Sequence, residues 1–325
     1  MIVRNQTIFK LKINAQRLIL LDFLNWIDYC NCQDITYFDI QQEWLMFNDV
    51  FSEILTGLHN NEVVPYLGSG VLFDAKSKLN SLPMPADSDS LILAMNGGKP
   101  MAQKLMYEFP RAAMNQELKK GRNFVTKFLD KTYGESKWTR AAMHDWLASF
   151  QPNYVIDINR DTQLQESYAN KKHTLIVGLA RISATPFRFK IFHYDGEKYA
   201  EIEQTMVDRS LPILFKPMGT PLPESNYIAS DADYVDYITE LMGGFAIPDF
   251  LKDYRKGKKY LLIGLPLCRD SERMVMSDIV YSANESKGWF LRKNPTPKEI
   301  RYSKKMGFEL IEADCQDFLD FVKTK

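Results

Sequence analysis

Glu62-Val63-Val64-Pro65-Tyr66-Leu67-Gly68-Ser69-Gly70-Val71 is the stretch from which the fold can be read. The apolar run 63–67 predicts a buried strand. It stops at Gly-Ser-Gly. Two glycines flanking a serine at a strand's carboxyl end let backbone amides approach a phosphate with no side chain in the way. Parallel α/β sheets hold their ligands at that edge. The same tripeptide also serves as a plain turn, so its meaning depends on the rest of the chain.

Upstream of it, Phe47, Val50, Phe51, Ile54 and Leu58 recur at helical spacing, with Asp49 and Glu53 off that face. His59-Asn60-Asn61 ends the helix. Downstream, strands are expected at 154–158, 173–179, 212–216, 259–263, 289–291 and 308–311. Residues 187–194 and 196–202 predict a hairpin turning at Asp195-Gly196. Helices are expected at 162–168, 234–242, 271–282, 297–306 and 317–322. This alternation predicts an α/β fold with a Rossmann-like, mostly parallel sheet covered on both faces. Residues from about 77 to 150 break the alternation with a helical pattern: a short helix at 91–95, a mostly helical stretch at 101–133 divided at Pro110 and Gly121, and a further helix at 138–150. They read as an inserted helical subdomain lying over the strand edge like a lid, or as a crossover made of several helices.

The main domain is expected over 46–325, with 1–45 as an N-terminal extension. That extension holds a strand-like start at 7–13 and an apolar segment at 17–29. It reads as a packing extension, as a stretch upstream of an alternative start at Met46, or as a surface for a homo-oligomer or a partner protein. Asp22 and Asp28 interrupt the apolar segment, which is too short to span a bilayer, so no membrane partner is expected.

The 325 residues are 45% hydrophobic and 25% charged, with 41 Lys+Arg against 41 Asp+Glu. A formal net charge of zero argues against a nucleic-acid partner. The cysteines, Cys30, Cys32, Cys268 and Cys315, form no C-x-x-C pair. A structural zinc module is therefore not expected, and reduced thiols in a cytoplasmic protein are.

Three strand ends stand out: Gly68-Ser69-Gly70, Asn159-Arg160-Asp161 and Gly264-Leu265-Pro266-Leu267. In a parallel sheet they fall along one edge. A glycine turn for phosphates, polar side chains for a ribose or base, and a further glycine would together make a dinucleotide cleft.

This series resembles the sirtuin-like NAD-binding family, in its bacterial and defence-associated branch. The family's strand and Gly-Ala/Ser-Gly-Val/Ile turn are similar to Val64-Pro65-Tyr66-Leu67-Gly68-Ser69-Gly70-Val71. Its Thr-x-Asn-x-Asp is met by Asp157-Ile158-Asn159-Arg160-Asp161, without the Thr. Its Lys-x-His-Gly-Ser is met by Lys216-Pro217-Met218-Gly219-Thr220, with Met218 in place of the catalytic His. Its Ser-x-x-Asp-Tyr is met by Ser230-Asp231-Ala232-Asp233-Tyr234, and its Ile-Gly-x-x-Leu-x-x-Asp by Ile263-Gly264-Leu265-Pro266-Leu267-Cys268-Arg269-Asp270.

The resemblance implies NAD as cofactor, or ADP-ribose as ligand. It implies a binding site built from Gly68, Ser69, Gly70, Val71, Asn159, Asp161, Gly219, Gly264 and Leu265. Asn159 would hold the ribose or a water, and Asp161 the nicotinamide carboxamide. From the residues alone, Asn159 is equally a strand-end turn and Asp161 a helix cap.

A thioether cannot accept a proton at neutral pH, so Met218 cannot act as the family's imidazole does. His59, His144, His173 and His193 are expected at the surface or at strand ends, away from the motifs. Asp157, two residues from Asn159 on the same strand face, is the candidate replacement base. Three functions therefore stand open. They are an NAD-binding protein with reduced or lost hydrolase activity, an active nicotinamide-releasing hydrolase with a relocated base, and an interaction scaffold that binds no nucleotide.

Overall fold

The computed structural model describes residues 37–281 and 287–324. The expected strand at 7–13, the apolar segment 17–29, Cys30 and Cys32 lie outside the described residues, as does most of the expected interaction element 1–45. The chain divides into two compact units, 1–50 and 51–325. Phe51 is buried, and its ring stands edge-on to Phe318 with centroids 5.4 Å apart, which ties it to the second unit. The helix Tyr37–His59 also buries Ile54 and Leu58, as its apolar spacing predicts.

The second unit is built on a sheet of nine strands among the described residues. In chain order its members are β1 (Val63–Leu67), β2 (Tyr154–Asp157), β3 (His173–Gly178), β4 (Phe189–Tyr194), β5 (Tyr199–Glu201), β6 (Ile213–Lys216), β9 (Lys259–Ile263), β10 (Gly288–Leu291) and β11 (Phe308–Ile311). The short strands β7 (Gly219–Thr220) and β8 (Asn226–Tyr227) form a separate pair. The order across the large sheet is β11-β10-β9-β1-β2-β6-β3-β4-β5. From β11 to β3 the neighbours run parallel, and β4 and β5 add an antiparallel edge. This is the expected α/β, mostly parallel, Rossmann-like sheet, with the hairpin of β4 and β5 in its expected place.

The central strands are buried along their whole length, which is what a sheet covered on both faces requires. On one face Tyr66, Ile156, Phe215, Leu262 and Phe290 join a core with residues of the helices Asp231–Met242, Asp249–Tyr254 and Asp270–Ile279. Alternation turns Leu67, Val155, Leu214 and Ile263 to the other face, and these are buried too. Trp146 and Phe318, from the helices Ala142–Phe150 and Cys315–Lys323, meet edge-on at 5.4 Å.

Three expectations need correction. Within the helical block Ser88–Met95 is a helix, but 101–108 are turns and loop rather than helix, and Pro110 starts the helix Phe109–Lys120 from its first turn. The helix expected from 138 begins at Ala142, because Trp138 bridges to Ser77 instead. His144 is fully buried rather than at the surface, while His173 opens β3 as a strand end and is buried there too. His173 bonds the Lys171 carbonyl at 2.8 Å and the Tyr199 hydroxyl at 2.7 Å, and burial lowers its pKa to about 4.

The register sets the functional edge. Leu67 lies beside Asp157 and Ile263, and Ile263 beside Leu291, so these strands end level. From β1 the chain moves to β2 on one side, and from β9 it moves to β10 on the other. The crevice between β1 and β9 is therefore the topological switch point, where open α/β sheets bind ligands.

The two loops at this crevice touch backbone to backbone. A Cβ on Gly68 would lie 2.4 Å from the Gly264 carbonyl oxygen and 2.5 Å from the Leu265 Cα. Neither atom can move without shifting a strand end. Gly68→Ala is therefore expected to lower stability by about 1–3 kcal/mol, as overpacking does, measured by chemical denaturation.

Candidate functional site

The glycine turn is committed first to the fold. The Gly68 N–H donates to the Ile263 carbonyl at 2.9 Å, and the Gly70 N–H to the Gly264 carbonyl at 2.7 Å. Gly264 adopts φ +67°, and a Cβ there would lie 2.6 Å from the Val71 nitrogen. These glycines are required by the approach of two chains. Their amides are not available to a phosphate in the way the tripeptide suggests. Val71 and Leu265 are buried in the core, and the Val71 N–H bonds the Gly68 carbonyl at 3.2 Å.

A cavity of about 490 Å³ opens at this junction. Ser69, Gly70 and Gly264 line it, so it draws on the ends of both β1 and β9. Arg292 and Lys293, just past β10, and Asp314 and Cys315, at the start of the helix Cys315–Lys323, form its far wall. Its basic side chains are paired within the protein. Arg292 meets Glu299 at 3.1 Å, and Lys293 meets Asp317 at 3.3 Å and Asp314 at 3.6 Å. Asp314 also caps its helix, accepting from the Gln316 and Asp317 amides.

Two smaller recesses, about 50 Å³ each, lie on the β2 side of the turn. One is lined by Ser69, Tyr133, Asn159, Arg160, Met218, Tyr234 and Glu272. The other shares Arg160, Tyr234 and Glu272 with it and adds Glu108 and Phe109. Tyr133, Glu108 and Phe109 belong to the helical block, so residues of that block line these recesses together with the strand-end residues. Ser69 lines both the large cavity and the first recess.

Asn159 ties the recess to the turn. Its Nδ2 donates to the Gly68 carbonyl at 3.0 Å and to Asp157 Oδ1 at 2.8 Å. Both amide protons are thus used, and what Asn159 retains for a ligand is its Oδ1 acceptor. Asp157 is fully buried and forms an ion pair at 2.7 Å with the equally buried Lys216 on the adjoining strand β6. Its other oxygen accepts both the Asn159 backbone N–H and Asn159 Nδ2. Asp157 is therefore a poor candidate for the relocated base, since both oxygens are engaged and neither faces a cavity.

Asp161 is 1% exposed. One oxygen accepts the Gln163 N–H at 2.8 Å at the start of the helix Gln163–Ser167, and the other is buried without a hydrogen-bond partner. Burial raises its pKa. It lines neither recess. Gly219 also lies apart from the cavities. With φ +87° and a hypothetical Cβ 2.0 Å from the Asn226 carbonyl oxygen, it is set by the pairing of β7 and β8.

The Ser-x-x-Asp-Tyr segment is structural at its Asp. Asp233 accepts the Ala229 and Ser230 amides at 3.1 Å each, and pairs with Arg122 and Arg181. It anchors the helical block to the helix Asp231–Met242. Tyr234, by contrast, lines the recess.

The residue that sequence reasoning missed is Glu272, in the first turn of the helix Asp270–Ile279. Burial, reinforced by the charge of Glu108, pushes its pKa up to about 8. Nothing local in the sequence signals this, because Glu108 and Glu272 come from distant segments.

No protein-family model and no curated protein matches this chain. Among the described residues, no three His, Cys, Asp or Glu side chains are grouped to hold a metal ion, and no helix is long and apolar enough to cross a membrane.

Removing one member of a buried ion pair leaves the other uncompensated, at about 3–5 kcal/mol. Lys216→Met is expected to cost that much in a denaturation experiment. Adding Asp157→Asn, which removes the charge and keeps an acceptor for Asn159, is expected to restore part of the loss.

Proposed function

We infer that this chain binds NAD, or its product ADP-ribose, across the carboxyl edge of the sheet. The observation that supports the reading best is the position of Ser69. It lies at the switch point and forms part of the wall of both the large cavity and the smaller recess. A dinucleotide has two halves joined by a pyrophosphate, and in open α/β sheets it lies across the crevice at the switch point. The large cavity would take the adenosine half. The recess with Asn159, Arg160 and Met218 would meet the nicotinamide ribose at its mouth.

Met218 is 3% exposed and sits on the recess wall. In the sirtuin-like family that this chain resembles, the corresponding position holds the histidine that takes a proton. A thioether there leaves binding intact and removes the imidazole route to hydrolysis. The reading is therefore of a nucleotide-binding protein in which that route is lost or reduced.

Titration calorimetry with NAD and with ADP-ribose tests this. Saturable heat is expected with both, and Ser69→Phe, which fills the junction of the two compartments, is expected to weaken binding by about tenfold or more. Absence of binding at millimolar ligand would leave the scaffold reading in its place.

A further inference from the structure

Glu272 is placed unlike the other acidic groups of this edge. It lines both recesses, and so faces Asn159 and Met218 across one and Glu108 across the other. Its Oε2 is buried and has no hydrogen-bond partner. A buried acceptor left unpaired is costly, and native structures keep few of them.

Cations stand nearby, yet each is bonded elsewhere. Arg160 donates through Nε to the Ile228 carbonyl at 3.1 Å, and through Nη2 to that carbonyl and to the Tyr234 hydroxyl. Arg269 lies over the Tyr107 ring at 4.7 Å. Arg273 donates to the Leu267 carbonyl at 2.8 Å and pairs with Asp270. Glu108, the closest like charge in effect, accepts the Asp270 N–H at 3.2 Å. Tyr234, Tyr66 and Cys268 complete the titratable groups that feel its charge. Glu272 thus keeps an unpaired oxygen and lines the recess of Asn159 and Met218, whose other lining residues cannot take a proton at neutral pH.

We propose that Glu272 is the proton acceptor of this site, serving hydrolysis of the nicotinamide N-glycosidic bond where Met218 cannot. The inference rests on the NAD-binding reading above. In the step, the bond between ribose C1′ and the nicotinamide ring nitrogen breaks, and its electron pair stays on that nitrogen, giving neutral nicotinamide. A water oxygen bonds to C1′, and one water proton passes to the Glu272 carboxylate. ADP-ribose leaves, and the proton is lost to solvent. Asn159 Oδ1 is the acceptor that can orient the water or the ribose.

The acceptor must be ionised to act. With its pKa pushed up to about 8 by burial and by Glu108, the ionised fraction grows as pH rises through that value. Turnover should therefore rise with pH and level off above about 8. The same shift lowers folded stability as pH rises from the ordinary carboxylate range towards about 8, because the folded state holds the proton longer than the unfolded chain.

The test measures NAD binding by calorimetry and nicotinamide release by chromatography, on the same full-length samples, from about pH 6 to about pH 10. Wild type is expected to bind NAD and to release nicotinamide with a rise centred near pH 8. Glu272→Gln is expected to keep NAD binding, lose the rise, and turn over about 10²–10⁴-fold more slowly. It should also gain thermal stability relative to wild type as pH increases. Glu272→Asp, should the Gln form fold poorly, is expected to keep the rising profile at a reduced rate. Wild-type turnover with an unchanged pH profile in Glu272→Gln overturns the proposal. So does a wild type that binds NAD and releases no nicotinamide at any pH, an outcome that leaves the binding reading standing. Failure to bind NAD at all removes both.

Discussion

Two strands of this sheet end in loops that touch through bare backbone, and the candidate site is organised by that contact. Gly68 and Gly70 on one side and Gly264 on the other have no room for a Cβ, since each would meet main-chain atoms at 2.8 Å or less. The Gly68 and Gly70 amides seal the contact with bonds to the Ile263 and Gly264 carbonyls. This closes the inner end of the crevice between β1 and β9 and fixes Ser69 at its mouth. The Gly68 carbonyl then receives Asn159 Nδ2, and Asn159 in turn is held by Asp157. One close approach thus sets the position of the large cavity, the recess beside it, and the side chain that links the turn to the next strand.

The charges along this edge divide into two kinds. Asp157 and Lys216 neutralise each other out of water, and Asp157 spends its remaining acceptor capacity on Asn159. They are part of the framework. Asp161 and Glu272 each keep one buried oxygen without a partner. The difference between these two is access, because Glu272 lies on the wall of both recesses and Asp161 on none. The arginines that might have neutralised Glu272 are drawn to carbonyls, to an aromatic ring and to Asp270 instead. A carboxyl is thereby kept raised in pKa beside a cavity, which is the environment a proton-transfer group requires.

Much of the architecture was legible in the chain. Each strand expected within the described residues formed, the hairpin turned at Asp195-Gly196, and the acidic start at Asp231 and Asp233 opened a helix. The candidate site was legible only in part. Ser69, Gly70, Gly264 and Asn159 do line cavities. Val71, Leu265 and Gly219 answer to packing and strand pairing, and Asp157 to an ion pair. A short motif names residues at a strand end without saying which of them face inward, and that depends on what the neighbouring strand brings to the same place.

By itself the sequence determined the alternation of strands and helices, the parallel sheet and the edge at which strands end in glycine. Those features follow from hydrophobic period and turn chemistry, which act over a few residues. Only the tertiary structure decided the strand order, with β9 beside β1, and therefore where the switch point lies. It decided that the glycines face each other rather than outward, and that Asp157 is locked while Glu272 is left unpaired. These outcomes depend on groups far apart in the chain, whose burial and charge interact only after the sheet has brought them together.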